Sequence, residues 1–346
     1  MKPIVPSVPL SMWKNLYAAA QKFKELQPWE ILDGTDLFGV RDPVSGETGY
    51  GLVMGSGGTV FGFCLYLGAG GFHVFQGLME GDIDPVRDDI FAIQNCLKLE
   101  LGPRADLERE DHAVIRQLGL TFKGNHAWPE FRSLLPGFVP WYLTEGEARF
   151  LTLALTAARH HAGRIVSGDV TDSIRDGECL VYIAAAGSET KYAAGWEPWP
   201  AAERRPVAPL PLVLARLTAL RAKKLKPDTP WEAGVFYLPS PILDYERPYF
   251  MRLATVCQES SGHSFEFELM TPGKMPHQAL ADAICSSIEK SGFLPETIFV
   301  RSAEEVAALR PLANALGSNI RWRKNLETIQ AVKEAMFEQM VRGGGR

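Results

Sequence analysis

The stretch PYFMRLATVCQESSGHSFEFELM, residues 248–270, carries the clearest strand pattern in the chain. Two runs rich in β-branched and aromatic residues flank the turn-forming sequence from Glu259 to Gly262, which predicts a β-hairpin. A third run, GVFYLPSPI (234–242), precedes the hairpin and has the same composition. The sequence therefore predicts consecutive strands, joined locally, at the centre of this part of the protein.

Helices and strands alternate after the hairpin. The predicted elements are a helix over 276–290, a strand in TIFVRS (297–302), a helix after the Ser302–Glu305 capping box, a strand in NIRWR (319–323) and a helix over 325–341. The resulting order, β-β-β-α-β-α-β-α, is that of a ribonuclease H-like fold. We expect a small α/β domain of this kind over residues 227–346.

The first half of the chain predicts an α+β domain with mainly local, antiparallel pairing, over residues 1–199. An amphipathic helix is predicted over 10–26, and a hairpin is predicted around the turn sequence DPVSGETG (42–49). The proline-rich stretch EPWPAAERRPVAPLP (197–211) and the helical pattern over 211–226 predict a linker and connecting helix at 200–226. The predicted fold class is thus α+β, with two domains.

The segment WPEFRSLLPGFVPWYL, residues 128–143, is crowded with prolines and aromatic side chains. Proline forbids a helix here and disfavours a central strand, so we expect an extended strap across the surface. A helix follows it, opened by the capping-box pair Thr144 and Glu147. Within the strap, Arg132 is the candidate functional side chain.

Composition narrows the functional classes. No apolar run approaches the length of a membrane-spanning helix, and the N-terminal residues lack a signal-peptide core, so the sequence predicts a cytoplasmic protein without a membrane partner. The net charge of −5 disfavours binding to nucleic acid by bulk charge alone. The five cysteines form no C-x-x-C pair, and the sequence indicates no cofactor.

Three stretches together resemble a bacterial family: LFGVRDPVSGETGYGLVMG (37–55), WPEFRSLLPGFVPWYLTEGEARFLTLAL (128–155) and GFLPETIFVRS (292–302). Members of this family carry two adjacent domains of unknown function, and some are fused to SEC-C-type or plasmid ORF-3-like domains. The resemblance implies a two-domain architecture over nearly the whole chain. It implies no catalytic residue.

A ribonuclease H-like nuclease needs clustered carboxylates that hold two Mg²⁺ ions. MRLATVCQ (251–258), interpreted as the first strand of the core hairpin and the expected place of the first acid, has no acid before Glu259, and the strand in TIFVRS contains Arg301 near its end. The sequence therefore favours a non-catalytic interaction or scaffold protein with a degenerate ribonuclease H-like domain. The alternative is a metal-dependent nucleic-acid enzyme with the unorthodox ligands Glu266, Glu268 and Glu327.

Strand periodicity bears on that alternative. With a period of two, Glu266 and Glu268 share one face of their strand, while Phe265, Phe267 and Leu269 take the other. This is the ordinary pattern of a half-buried strand, so the glutamates are predicted to be solvated.

A third possibility is a small-ligand site between the domains, lined by Trp128, Arg132, Trp141 and Tyr142. Two other patterns have simpler structural explanations. GAGGFH (68–73) lacks the last glycine of a dinucleotide loop and is interpreted as a strand-to-helix turn. His160 and His161 are interpreted as residues at a helix end that interact with its dipole.

Two basic groups could contact nucleic acid, although a solvated basic surface is the simpler explanation. The residues are Arg216, Arg221, Lys223, Lys224, Arg321, Trp322 and Arg323. Guanidinium and indole groups side by side can bind phosphates and stack on bases. Protein and nucleic acid both remain as predicted partner classes.

Overall fold

The computed structural model describes residues 3–84, 89–184, 191–201, 216–217, 219–220, 222–270 and 274–343. The chain divides into two compact units, Met1–Glu203 and Arg204–Arg346. Both units combine helices with β-sheets, which confirms the predicted α+β class. Parts of the predicted linker and connecting helix, residues 202–215, 218 and 221, lie outside the described residues.

The first unit contains eight strands and five α-helices among its described residues. They are α1 (Leu10–Leu26), β1 (Phe38–Arg41), β2 (Thr48–Met54), β3 (Gly62–Leu67), α2 (Gly68–Met79), α3 (Ile90–Ile93), β4 (Cys96–Gly102), α4 (Arg109–Gln117), β5 (Trp128–Leu134), α5 (Glu145–Val166), β6 (Ile174–Arg175), β7 (Glu178–Ala184) and β8 (Tyr192–Pro198). Short 3-10 helices span Pro28–Glu30 and Arg104–Asp106. The strands form one sheet in the order β5-β4-β3-β2-β1-β7-β6, with β8 also paired to β7.

Helices cover both faces of this sheet. Alternate residues of its strands face α1 and α5, where Phe23, Phe38 and Leu155 are buried in the main core. The other face packs against α2 through Tyr50 and Phe72. The predicted capping box begins α5, with the Glu147 amide donating to the Thr144 hydroxyl. This capped helix and α1 pack against each other over the sheet.

One pairing in the sheet is neither local nor antiparallel. β1 pairs with β7 in parallel, Val40 opposite Tyr182, although the two strands are far apart in sequence. The pairing joins the meander β1–β5 to the hairpin β7–β8 in a single sheet. The prediction of mainly local, antiparallel pairing is therefore confirmed, and this parallel junction is the exception.

The predicted surface strap is a β-strand over its first half. Residues 128–134 form β5, antiparallel to β4, with Pro129 opposite Leu101. β5 lies at the edge of the sheet, where a proline without an N–H is tolerated. The chain then turns back, and the Ser133 and Trp141 backbones exchange hydrogen bonds of 2.7 and 2.9 Å. The strap prediction is wrong because proline excludes only the central positions of a sheet.

The second unit has the predicted order of elements. They are β9 (Lys226–Asp228), β10 (Trp231–Ile242), β11 (Tyr249–Gln258), β12 (Ser264–Met270), α6 (Pro276–Ser291), β13 (Phe293–Pro295), β14 (Thr297–Val300), α7 (Ala303–Leu316), β15 (Asn319–Trp322) and α8 (Glu327–Gly343). Five strands form a sheet in the order β12-β11-β10-β14-β15, and β9 pairs with β13. β11 is antiparallel to both of its neighbours, whereas β10, β14 and β15 are parallel.

The first strand of this sheet starts three residues before GVFYLPSPI. β10 begins at Trp231, so Glu232 lies within it. MRLATVCQ belongs to β11, which is the first strand of the hairpin, as predicted, but the second strand of the sheet, so the expected position of the first acid is wrong. The core of the sheet therefore has an acidic residue on its first strand, contrary to the prediction.

The two faces of β12 are also reversed relative to the prediction. A β-bulge places Phe265 as an extra residue opposite β11, because Val256 pairs with Glu266 and Cys257 pairs with Ser264. Phe265 packs on Trp231 with ring centroids 4.4 Å apart. Beyond the bulge, Phe267 and Leu269 are 43% and 58% exposed.

Helices lie on both faces of the second sheet. α6 and α7 cover the face that carries Trp231 and Val256, and α8 covers the face that carries Phe236 and Leu253. Ser302 accepts the Glu305 amide at the start of α7, as predicted, and Gly292 in the left-handed conformation ends α6. No helix among the described residues is long and apolar enough to cross a membrane.

Candidate functional site

The carboxylate of Glu232 is buried between the first strand of the second sheet and the start of α8. Its side chain is only 1% exposed. Oε2 accepts hydrogen bonds from the backbone amides of Thr328 and Ile329, at 2.8 and 3.0 Å. A negative charge at a helix N-terminus is stabilised by the unpaired amides and the helix dipole. Glu232 therefore caps α8 from a neighbouring strand.

The other oxygen of Glu232 faces Arg323, the residue after β15. Arg323 Nη1 lies 3.3 Å from Glu232 Oε1 and 2.7 Å from Glu259 Oε1. The Arg323 guanidinium carbon also lies 3.6 Å from the ring centroid of Phe299 on β14. One arginine therefore links the beginning of β10, the turn after β11 and the end of β14.

This arrangement leaves few carboxylate oxygens that could bind a metal ion. A Mg²⁺ site of the two-metal type needs several carboxylates with free oxygens. Glu232 directs both oxygens to cationic or N–H donors, and the positions after β14 and β15 are Arg301 and Arg323. Across the part of the chain that the structure describes, no group of three His, Cys, Asp or Glu residues could hold a metal ion.

The three glutamates of the alternative metal site are not brought together. Glu266 forms an ion pair with Lys290 on α6, and Glu268 forms one with Lys274, just before α6. Glu327 begins α8, which packs on the opposite face of the sheet. The two glutamates on β12 are thus ion-paired on the face of the sheet that α6 covers. The prediction that they are solvated is wrong.

The predicted nucleic-acid residues have different environments. Arg216 contacts α6, where its Nη2 lies 2.6 Å from Glu289 Oε2 and 3.1 Å from Ser286 Oγ. Arg221 lies outside the described residues, and Lys223 and Lys224 are exposed. The first basic group is therefore partly neutralised by acids of its own unit.

The second basic group lies on the edge strand β15. Trp322 is 61% exposed, and Arg321 is exposed beside it. Successive side chains of a strand point to opposite faces, so Trp322 shares a face with Ile320, and Arg321 shares the other with Arg323. The indole of Trp322 and the guanidinium of Arg321, predicted to lie side by side, therefore point to opposite faces of β15.

Arg132, the candidate in the aromatic segment, is held in a buried ion pair. Its Nη1 and Nη2 lie 2.9 and 2.7 Å from the two carboxylate oxygens of Asp111 on α4. Glu130 Oε1 lies 2.9 Å from the same guanidinium, and the ring of Tyr142 lies 4.9 Å below it. Through its ion pair with Asp111, Arg132 on β5 connects this strand to α4.

The electrostatics of this cluster follow from burial and pairing. Burial alone lowers the pKa of Arg132, but the hydrogen bonds and charge of Asp111, followed by Glu130, raise it above its usual range. Burial raises the pKa of Tyr142, and its hydrogen bonds to Glu108 and Glu110 raise it further. The guanidinium and the phenol therefore keep their protons, which is unsuited to acid–base chemistry near neutral pH.

The other two residues of the predicted ligand site, Trp128 and Trp141, contact other parts of the first unit. Trp141 Nε1 donates to the backbone oxygen of Ile4 at 2.9 Å. Trp128 lines a separate cleft with residues of α4. All four predicted residues belong to the first unit.

The adjacent histidines lie inside α5 rather than at its end. His161 is completely buried, with Nδ1 2.8 Å from the hydroxyl of Tyr182. Burial, followed by the charges of Arg164 and His160, lowers the pKa of His161 to about 4. The interpretation as residues that interact with the helix dipole is therefore wrong for His161, which is a neutral core residue.

The glycines of GAGGFH serve packing. GAGGFH forms the first turns of α2 directly after β3, so the predicted strand-to-helix junction is present. A side chain at Gly71 would lie 2.6 Å from the Asn95 backbone oxygen and 2.8 Å from the Tyr66 carbonyl carbon. Glycine at this position allows α2 to approach the sheet closely.

The five cysteines are buried and unbridged.

Sequence reasoning missed Glu232. The signal was weak because Glu232 stands alone between Trp231 and Ala233, outside the β-rich run that predicted the strand. The available indication of a functional residue was a single acid next to a tryptophan at the start of a strand. Its partners, Arg323 and the α8 amides, are distant in sequence and follow only from the fold.

The fold and the Glu232–Arg323 arrangement define a two-unit α+β protein with a buried carboxylate–guanidinium link in its second sheet. Two family models match the chain: a domain of unknown function, DUF7309, over residues 13–181, and a second one, DUF6930, over residues 216–337. The chain therefore carries two adjacent family-model domains of unknown function, as the sequence resemblance indicated. No curated protein matches the chain.

Proposed function

We propose that the protein is a non-catalytic interaction protein whose second unit is a ribonuclease H-like domain without a metal site. The strand order supports the fold assignment. Counted within the second sheet, the order is 3-2-1-4-5, and only the second strand runs antiparallel to the others. This is the arrangement of a ribonuclease H-like fold, although a shared fold by itself carries no activity.

The observation that carries the proposal is the use of Glu232. A catalytic first-strand acid needs its oxygens free for metal ions, and the Glu232 oxygens instead accept from two α8 amides and face Arg323. Basic residues at the ends of β14 and β15 disfavour a second cation there. In this proposal the domain has the ribonuclease H-like fold, and its first-strand acid, Glu232, stabilises that fold instead of binding a metal ion.

A cleavage assay tests this function. The full chain would be incubated with fluorescently labelled RNA–DNA hybrid, single-stranded RNA and single-stranded DNA, in Mg²⁺ and in Mn²⁺. We expect no metal-dependent cleavage. Cleavage that requires the metal and disappears in Glu232→Gln, but persists in the exposed control Glu304→Gln, would overturn the proposal.

A second candidate function is contact with single-stranded nucleic acid through the edge strand β15, favoured by the 61% exposed Trp322, with the exposed Arg321 on the opposite face of the same strand. An exposed indole offers a stacking surface, and a guanidinium offers a phosphate contact. Fluorescence polarisation with labelled single strands at two salt concentrations tests it. Binding that weakens with salt and falls about tenfold in Trp322→Ala would support nucleic acid. Binding that is equal in Trp322→Ala and wild type would count against this surface.

A further inference from the structure

The first unit contains a cleft that the proposed function does not use. It lies between the 3-10 helix Arg104–Asp106, α4 and the beginning of β5, and has a volume of about 740 Å³. Its lining is Arg104, His112, Ile115, Arg116, Gly119, Leu120, Thr121 and Trp128. This volume lies within the range of about 300–1,000 Å³ that is typical of small-molecule sites. We call this cavity the Trp128 cleft.

The polar lining of the Trp128 cleft is basic. Arg104, His112 and Arg116 supply its ionisable side chains, and no aspartate or glutamate lines it. Neither arginine forms an ion pair within the described parts of the chain, in contrast to Arg132, which is paired twice. Unpaired guanidinium groups that line one cavity favour an anion, and their planar donor geometry suits phosphate.

The nearby acids Asp106, Glu108, Glu110 and Asp111 lie outside the lining of the cleft. Asp111 precedes His112 on α4, but its carboxylate is bonded to Arg132. Glu108 and Glu110 accept hydrogen bonds from the Tyr142 hydroxyl. At the end of α4, the carbonyls of Val114, Ile115 and Arg116 each accept a hydrogen bond from a following amide.

An aromatic group stands beside the basic ones. The Trp128 ring lies 5.6 Å from the Arg104 guanidinium and 6.3 Å from the His112 ring. Phe122 packs on the same indole at 5.5 Å, and strand pairing of Trp128 with Gly102 fixes its backbone. A half-buried, supported indole next to arginines provides stacking and charge together, which suits a planar ring that carries phosphate.

A second cleft continues from the first. It has a volume of about 400 Å³, shares Leu120 and Thr121 with the Trp128 cleft, and is lined further by Lys24 and Lys123. Glu25 is the acid in its lining. The basic surface therefore extends past the loop after α4, where a longer phosphate chain could lie.

From these observations we propose that the Trp128 cleft binds a phosphorylated ring compound of the nucleotide class. The guanidinium groups of Arg104 and Arg116 would bind the phosphates, and the indole of Trp128 would contact the ring. This site is independent of the second unit, so it stands or falls separately from the proposed function.

Calorimetric titration of the full chain with ADP, inorganic phosphate and adenosine tests the proposal. We expect ADP to bind more tightly than either part alone. Arg104→Gln and Arg116→Gln should each weaken ADP binding tenfold or more, and Trp128→Ala should weaken it similarly. Arg109→Gln, an exposed arginine at the start of α4 outside the lining, is the matched control and should bind as wild type does.

Circular dichroism would check that each variant keeps its fold. We expect the Arg104 and Arg116 variants to keep it because both side chains are exposed. Absence of ADP binding by the wild type would overturn the proposal. Equal loss in Arg109→Gln and Arg116→Gln, or phosphate that binds as tightly as ADP, would also overturn it, because the site would then recognise bulk charge or phosphate alone.

Discussion

Glu232 and Arg323 are 91 residues apart in sequence, yet Glu232 Oε1 lies 3.3 Å from Arg323 Nη1. Glu232 belongs to the first strand of the second sheet, and Arg323 follows the last strand. Glu232 also caps α8, so one buried carboxylate connects the two ends of the unit. Its role in the second unit is therefore structural, and its removal should be felt as lost stability.

Replacement of Glu232 by glutamine tests that structural role. Glutamine keeps the shape but loses the charge that α8 and Arg323 require, so we expect the free energy of unfolding to fall by about 1–3 kcal/mol. Urea denaturation measures the change. Glu259→Gln removes the more exposed partner of Arg323 and should cost about 1 kcal/mol or less. Equal losses in the two variants would contradict the capping role.

The buried pair of Arg132 and Asp111 predicts strong non-additivity. Arg132→Met leaves Asp111 buried without its cation, so we expect a loss of about 3–5 kcal/mol in the free energy of unfolding. The double variant Arg132→Met/Asp111→Leu should lose less than the sum of its single variants. Arg175→Met, which breaks a surface pair with Glu178, is the control and should cost less than about 1 kcal/mol. Additive losses at Arg132 and Asp111 would refute the pairing.

His161 predicts a pH dependence of stability. Its pKa in the folded protein is lowered to about 4, so between this value and the unfolded value of about 6.5 the unfolded state binds the extra proton. Stability contributed by neutral His161 is therefore present above about pH 6.5 and is lost as the pH falls towards 4.

Urea denaturation across this range, for wild type and His161→Leu, measures that contribution. The wild type should lose stability more steeply than the variant on acidification, by up to about 1.4 kcal/mol per pH unit. The half-buried neighbour His160, replaced by glutamine, is the comparison and should keep most of the wild-type slope. Parallel curves for wild type and His161→Leu would show that His161 does not titrate in this way.

The β-bulge in β12 predicts unequal effects of three apolar residues. Phe265 packs on Trp231, so Phe265→Ala should lower the free energy of unfolding by about 2 kcal/mol. Phe267→Ala and Leu269→Ala remove exposed side chains and should each cost about 0.5 kcal/mol or less. Thermal denaturation of the three variants checks this order. A larger loss at Phe267 than at Phe265 would place the bulge elsewhere.

Elements with local signals could be predicted from the sequence. The capping boxes Thr144–Glu147 and Ser302–Glu305, the glycine after α6 and the turn after β1 each depend on residues within one short stretch. Such signals act through neighbouring backbone groups, so a single sequence contains them. The order of elements in the second unit followed from them.

Features that join distant residues could not be predicted. The parallel β1–β7 pairing, the Arg132–Asp111 pair and the Glu232–Arg323 contact each depend on tertiary structure. The bulge at Phe265 shifts the faces of β12 by one residue, and simple alternation contains no sign of it. The edge strand β5 could likewise not be distinguished from a surface strap, because the sequence of a proline-containing segment does not show which strand it pairs with.

The most direct test of the non-catalytic account is a Mn²⁺ titration monitored by electron paramagnetic resonance, which detects the free ion. If Glu232 is committed to Arg323 and α8, wild type and Glu232→Gln should leave the same concentration of free Mn²⁺. Stoichiometric Mn²⁺ binding by the wild type that is lost in Glu232→Gln and retained in the exposed control Glu304→Gln would contradict the account.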